Sequence, residues 1–522
     1  MYRFEACGLK LGGYHMNRKL ADVGKEREWR GTIREAARSG LSIREFCRQR
    51  RVKERQFYWW RQKLQQDGAR GRRRLGGEKE RASFALVSKE GVGQDAGIEL
   101  VLGGHVLTSD PEEAEILVVN TCSFIDGSKK ESIDTILAAA QLKNKGICKK
   151  LIVTGCLAER YPKQIRSDLV EVDAILGTNQ IEEITRAVSG ETIAPPNSFG
   201  RSDADLYLYD HNTPRTLIGP RYAAYMKISE GCDHTCAFCV IPKIRGRMRS
   251  RSIPSLVQEA KQLAAQGVKE ITLVSQDTTS YGADLGIQDG LANLLEALDT
   301  VEGIRWIRFL YIYPNLVSDK LIDVINSSQK ICRYIDMPLQ HASTNVLKAM
   351  RRGGNRSSLT KMVERIRKGI PGATFRTTMI VGFPGETAAD FKELKDFCRD
   401  MEFDRLGVFT YSDEEDTSAY NLNPKVPART AERRKSALMK QQAEIAARKN
   451  RDLLGMEFEI LIEGPSQESD LLLQGRLESQ APEIDGVCLI NDSQVGELQS
   501  GEFRTIRITR VLEHDLLGIV TK

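Results

Sequence analysis

A chain of 522 residues and 58.5 kDa is about three to four times the usual domain length, which excludes a single small binding module. With 41% hydrophobic and 28% charged residues and a mean hydropathy of −0.37, it reads as a soluble globular protein, neither disordered nor fibrous. No apolar run approaches the roughly 18 residues of a membrane span, and the opening MYRFEACGLKLGGYHMNRK carries no apolar signal core, so the expected address is cytoplasmic and no membrane partner is expected.

Eleven cysteines, an odd number spread along the chain, suit reduced thiols or metal ligands better than a secreted disulfide framework. The net charge of +6 is uneven: residues 1–100 hold 24 Lys and Arg against 13 Asp and Glu, whereas residues 452–522 hold 5 against 14. Such regimes point to different origins or partners for the two ends.

In chain order, residues 29–64 show three short stretches with apolar residues at helical spacing, separated by turns, and contain Trp29, Trp59 and Trp60. This is the outline of a basic helix-turn-helix. The stretch GARGRRRLGG at 68–77 reads as a flexible linker. From Glu115 onward short apolar strands alternate with helices (EILVVN, KLIVTG, DAILGT), the pattern of a parallel sheet. Pro195 and Pro196 mark a linker. After Tyr225 six further β/α units follow, with strands in MKISEG, EITLVSQD, WIRFLYIY, YIDMPLQ, TTMIVGF and LGVFTYS, short of the eight that close a barrel. A charged helix over 430–454 precedes five short strands that read as a small β-barrel. The fold class is therefore α/β: a partial (β/α)6 barrel preceded by an α/β domain and followed by an all-β barrel, with a helical N-terminal extension. The expected domains are 1–104, 105–195, 218–451 and 452–522.

The sharpest motif is Cys232-Asp-His-Thr-Cys236-Ala-Phe-Cys239, just after the first strand of the six-unit barrel, where catalytic groups collect. Three thiolates on one loop suit an iron-sulfur cluster, zinc or copper. Zinc needs a fourth ligand, for which His234 is the candidate, although its place between the first two cysteines restricts its reach. The motif, Phe238 and the partial barrel resemble the radical S-adenosylmethionine (SAM) enzymes. That resemblance implies a 4Fe-4S cluster with one iron left for SAM, whose reductive cleavage yields a 5'-deoxyadenosyl radical.

Cys122 in NTCSF and Cys156 in VTGCLAER each follow a strand of the preceding domain, and loops after neighbouring parallel strands open on one edge of the sheet. The alternative is a pair of inert buried cysteines. Continued through the barrel and terminal strands, residues 105–522 resemble the radical SAM methylthiotransferases, which carry a second 4Fe-4S cluster on three cysteines of the first domain and end in a TRAM domain. YLYDHNTPR (207–215), EGCDHTCAFCVIPKIRGRMRSR (230–251), SQDTTSYG (275–282), PLQHAS (338–343), VGFPGET (381–387) and YSDEEDTSAY (411–420) are similar to the branch that methylthiolates an aspartate β-carbon in small-subunit ribosomal protein uS12. The tRNA-modifying branch is the alternative. An acidic terminal domain favours a basic protein partner over RNA, whose phosphates call for cations.

Gly382, Gly385 and Glu386 form a turn where backbone groups meet SAM or simply join a strand to a helix. Gln276 and Asp277, and Gln340 and His341, end strands at the barrel mouth as pocket residues or caps. Lys243, Arg245, Arg247, Arg249 and Arg251 face SAM, the substrate or solvent. The expected cofactors are SAM and two 4Fe-4S clusters, and the expected partners are uS12 or the small ribosomal subunit and an electron donor. The first strand and glycine-cysteine loop of the methylthiotransferase domain are missing. In their place stands a region resembling insertion-element accessory proteins, with DNA binding by residues 1–100 as its implied role, and the resemblance switches near residues 103–105. The chain thus reads as a gene fusion or an error of assembly. Its consequence is an auxiliary cluster short of its first ligand. Cys7, Cys47 and Cys148 are the substitutes, none well placed.

Overall fold

The computed structural model describes residues 50, 83–87, 101–102, 105–108, 110–196, 207–213, 215–217, 219–466, 469, 472–512 and 514–522. The chain divides into two compact units, Met1–Arg81 and Ala82–Lys522, and the sheets and barrels all belong to the second. The helix-turn-helix outline, Cys7 and Cys47 lie outside the described residues.

The first sheet has the order β2-β3-β1-β4-β5-β6, with β1 (Ser83–Val87), β2 (Val101–Leu102), β3 (His105–Leu107), β4 (Ile116–Thr121), β5 (Lys150–Gly155) and β6 (Ala174–Leu176). Strand β4 (ILVVNT) is a continuous apolar run because both of its faces are covered. Leu117 and Val119 pack with Ile136 and Ala140 on one side, and Ile116 and Val118 with Leu176 and Ala187 on the other.

The sheet starts earlier than the boundary expected at residues 104 and 105. Strand β1, which the sequence places in the basic extension, runs parallel to β4 from Phe84 opposite Ile116 to Val87 opposite Val119. Strand β1 thus covers the edge of β4 away from β5. Backbone pairing is indifferent to which side chains fill a strand, so the five residues of β1 extend the ladder. Ser88 and Lys89 follow β1 in the sequence, so no cysteine follows the strand directly.

The six expected barrel strands are β7 (Ala223–Lys227), β10 (Glu270–Val274), β11 (Trp306–Phe309), β12 (Tyr334–Asp336), β13 (Thr374–Val381) and β14 (Arg405–Thr410). They form two parallel three-stranded sheets, β11-β10-β7 and β12-β13-β14, joined by a bridge between Ile307 and Ile331. Alternate strand residues such as Ile271, Leu273, Ile307, Phe309, Phe375 and Met379 turn outward into one core shared with the surrounding helices. A short ribbon, β8 (Ser229–Glu230) with β9 (Arg249–Ser250), ties the two ends of the cysteine loop.

Helix Ala428–Arg451 leads to a closed barrel, β15-β16-β17-β19-β18, of β15 (Glu457–Pro465), β16 (Leu473–Leu477), β17 (Cys488–Ser493), β18 (Phe503–Val511) and β19 (Leu516–Val520). It docks on the N-terminal ends of the β/α strands. Arg476 and Arg308 both pair with Glu270, and all three are essentially without solvent contact. Tyr334 Oη donates to Asp485 Oδ2 at 2.6 Å, and Ala481 is buried among Trp306, Leu310 and Tyr334. Among the described residues no helix is long and apolar enough to cross a membrane.

Candidate cluster and cofactor site

The cysteine loop leaves β8 at the C-terminal end of the barrel and is pinned by backbone hydrogen bonds. Cys232 N donates to Gly246 O (3.2 Å), Ala237 N to Met350 O (2.8 Å) and Ala419 N to Ala237 O (2.7 Å). Burial pushes the Cys232 thiol up to about 11 and Cys239 up to about 12, so both keep their protons at neutral pH until a metal displaces them. Arg352 donates to Cys236 Sγ at 3.6 Å and to Pro338 O at 2.7 Å, and its guanidinium lies 4.4 Å from the Tyr313 ring centroid.

His234 is otherwise engaged. Its ring stacks on Tyr313 at 3.7 Å, and its Nε2 meets Asp277 Oδ2 at 2.7 Å. Asp277 also accepts from Thr279 N and Thr279 Oγ1. The side chain offered as a zinc ligand therefore helps to brace the loop wall. Neither Arg352 nor Tyr313 carries a signal in a single sequence, because each joins the site only through tertiary packing.

At the strand ends, Gln276 Oε1, Gln340 Oε1 and His341 Nε2 are buried without a hydrogen-bond partner. Gln340 has φ +70°, a strained backbone for a residue with a side chain and one that clusters at ligand sites. His341 Nδ1 accepts from Ser343 N at 3.0 Å, which leaves the ring hydrogen on Nε2. His341 Nε2 faces Glu386 Oε1 at 3.9 Å, whereas the two unpartnered amide oxygens suit a ligand that brings donors, as SAM does with its amine and hydroxyls. Glu386 serves the turn itself: its Oε2 accepts from Gly382 N and from Phe383 N, and Arg434 lies 3.2 Å from its Oε1. Gly382 (φ +78°) packs so tightly on the long helix that an added Cβ would stand 2.5 Å from Ala431 Cβ, whereas Gly385 faces open space.

The second pair of cysteines converges beside this loop. Gly155, at φ +97°, leaves no room for a Cβ, which would stand 2.5 Å from Thr121 O, so the loops after β4 and β5 touch. Thr121 Oγ1 ties them by donating to Thr154 O and accepting from Leu157 N, and Ser132 pins the Cys122 backbone. Cys122 is exposed and Cys156 buried. Burial pushes the Cys156 thiol up, the Arg245 guanidinium opposes that shift, and the nearby Cys122 adds to it. Cys156 packs on Val240 and Ile244, directly after Cys239, so the two cysteine sets are neighbours.

The auxiliary 4Fe-4S cluster that the resemblance implies would take three thiolates from this first domain. Among the described residues two meet there, and Arg245 Nη2 donates to Cys156 Sγ at 3.2 Å. Cys148 sits before β5, at the opposite end of the sheet, with its thiol on Lys150 O. The donor set therefore does not complete that cluster. The basic run is not one strip either: Arg245 faces Cys156 and Glu230, Arg251 pairs with Glu259, and Arg247 lies 3.4 Å from Asp233.

Comparison with known proteins agrees with this geometry. Residues 226–398 match the radical SAM superfamily, residues 98–177 the uncharacterized protein family UPF0004, and residues 454–520 the TRAM domain. The ribosomal protein uS12 methylthiotransferase RimO of Solibacter usitatus is 53% identical over 422 residues, covering 80% of this chain and 90% of the relative. Its counterpart in Koribacter versatilis is 46% identical, covering 80% and 91%. That of Myxococcus xanthus is also 46% identical, covering 81% and 88%. With the matched domains in the order the fold displays and such identity over four-fifths of its length, the chain belongs to the RimO family of radical SAM methylthiotransferases.

Proposed function

We propose that the chain transfers a methylthio group to the β-carbon of an aspartate in ribosomal protein uS12, the protein for which its relatives are named. The observation that carries this reading is a three-cysteine loop at the C-terminal end of the barrel, beside strand ends whose Gln276, Gln340 and His341 side chains hold unpartnered polar atoms. Cys232, Cys236 and Cys239 hold the radical cluster, and Gln276, Gln340 and the Gly385 turn contact SAM. A cluster held by these three cysteines would supply the reducing electron on which radical chemistry with SAM depends. The chain's own residues orient and shield: Arg352 donates to one ligand sulfur and so holds it in place, and the buried strand ends exclude water. Gly382 and Glu386 hold the turn in shape.

Cys122 and Cys156 are, in this reading, the remaining ligands of the sulfur-bearing cluster. The terminal barrel, with 14 acids against 5 basic residues in 452–522, steers a basic protein by charge. Several of these acids are already paired, as Glu457 with Arg507 and Glu463 with Arg476. The test is mass analysis of uS12 and tRNA from cells expressing the chain: a methylthiolated uS12 supports the reading, and a modified tRNA with unmodified uS12 overturns it. For residues 1–100 the excess of cations supports DNA binding, which salt-dependent retention of a DNA duplex by the full chain, compared with a chain lacking those residues, would reveal.

A further inference from the structure

The helix Cys156–Arg160 begins at one cysteine of the first domain and ends at an arginine whose guanidinium is buried. Arg160 Nη1 donates to Ser123 O at 2.9 Å, one residue past Cys122, and to Glu414 Oε2 at 3.1 Å. Its Nη2 donates to Glu415 O at 2.6 Å, and Asp416 lies 3.6 Å from Nε. Glu414 follows β14 of the β/α barrel, is equally buried, and also takes Lys129 Nζ at 2.8 Å. Lys129 belongs to the helix that follows Cys122. Asp126 N donates to Ser412 Oγ at 3.3 Å and Tyr161 Oη to Glu415 Oε1 at 2.6 Å. Residues 412–416 thus grip both cysteine-bearing loops of the sheet.

A buried ion pair is a poor source of stability, because desolvation offsets the attraction, and its best-attested use is to fix one arrangement among several. Here one guanidinium touches the neighbour of Cys122, ends the helix of Cys156 and binds the barrel. We propose that Arg160 and Glu414 form a positioning clamp that sets where the loops of Cys122 and Cys156 stand relative to the Cys232–Cys239 loop and hence to a substrate docked at the barrel mouth. This rests on the methylthio transfer proposed above. Neither residue touches substrate or cofactor. Both act through the loops they hold, where a displacement of about 1 Å costs on the order of 10²-fold in rate.

The test compares the full chain with Glu414→Gln, Arg160→Ala and Arg160→Lys, using three readouts. These are deuterium uptake of the purified chain, 5'-deoxyadenosine released from SAM under reduction, and methylthiolated uS12. In Glu414→Gln and Arg160→Ala, uptake rises at residues 122–128 and 156–161 and is unchanged at 232–239. 5'-Deoxyadenosine stays within about twofold of wild type while methylthiolated uS12 falls by about tenfold or more. Arg160→Lys, which keeps the charge but loses the fork, recovers part of the product. Uptake that is unchanged at the two cysteine segments, or product and 5'-deoxyadenosine falling in parallel, overturns the clamp. If wild type releases 5'-deoxyadenosine but leaves uS12 unmodified, the proposed function fails, and the uptake pattern alone then supports or overturns the clamp.

Discussion

Two sets of cysteines meet at the mouth of the β/α barrel, and they are built in opposite ways. Cys232, Cys236 and Cys239 come from one loop fastened at both ends by the β8/β9 ribbon and rest on a continuous core. Cys122 and Cys156 come from two loops 34 positions apart, joined by Thr121, by a glycine that tolerates close approach, and by an arginine reaching to the barrel. The first set survives any change that leaves its loop intact. The second depends on every strand and contact beneath it, and it has two thiols among the described residues.

Removing a ligand of the first set gives the largest effect. Cys236→Ala is expected to abolish 5'-deoxyadenosine formation, a loss on the order of 10³-fold or more, since the cofactor carries the chemistry. Retention of SAM cleavage would break the assignment. The double change Cys122→Ala, Cys156→Ala separates the sets: 5'-deoxyadenosine formation holds within about threefold, while methylthiolated uS12 falls by on the order of 10²-fold. Iron and sulfide analysis of the reconstituted proteins sharpens this, because equal iron in wild type and variant means that only the barrel cluster assembles.

Gly155→Ala tests how the second set is held. A Cβ at φ +97° against Thr121 O is expected to cost about 2 kcal/mol in chemical denaturation and to raise the alkylation rate of Cys156 but not of Cys239. Equal alkylation at both would mean that the loops are not tied in this way. Gln340→Ala gives the smallest effect. Loss of an acceptor for SAM weakens SAM binding by about 1 kcal/mol, or roughly fivefold, in calorimetric titration, and leaves the unliganded chain no less stable because the oxygen had no partner to lose. A drop in stability without a change in affinity would place Gln340 in the scaffold.

Much of this was legible in the sequence because it is local. The CxxxCxxC spacing, the alternation of strands and helices in the barrel, and the five closing strands each announce themselves within a window of about ten to fifteen residues. Strand β1 did not: SFALV holds an apolar run of four in a polar stretch, and only its register with β4, some thirty residues on, makes it part of the sheet. Arg160 and Glu414 are 254 positions apart, and Tyr313 and Arg352 join the cysteine loop from distant connecting segments. A contact that exists only after folding leaves no mark on the local pattern of either partner. The turn VGFPGET was visible as a turn, but the role of Glu386 as its internal brace needed coordinates.

The docking of the terminal barrel carries a consequence for the reaction. Arg476 pairs with Glu270, and residues 478–485 press against Arg308 and Tyr334 at this base of the strands, with Gln480 and Ala481 fully buried. The vessel is thus stoppered at its base. A substrate bound for the cysteine loop therefore comes from the side opposite this plug, where the C-terminal ends of the strands lie.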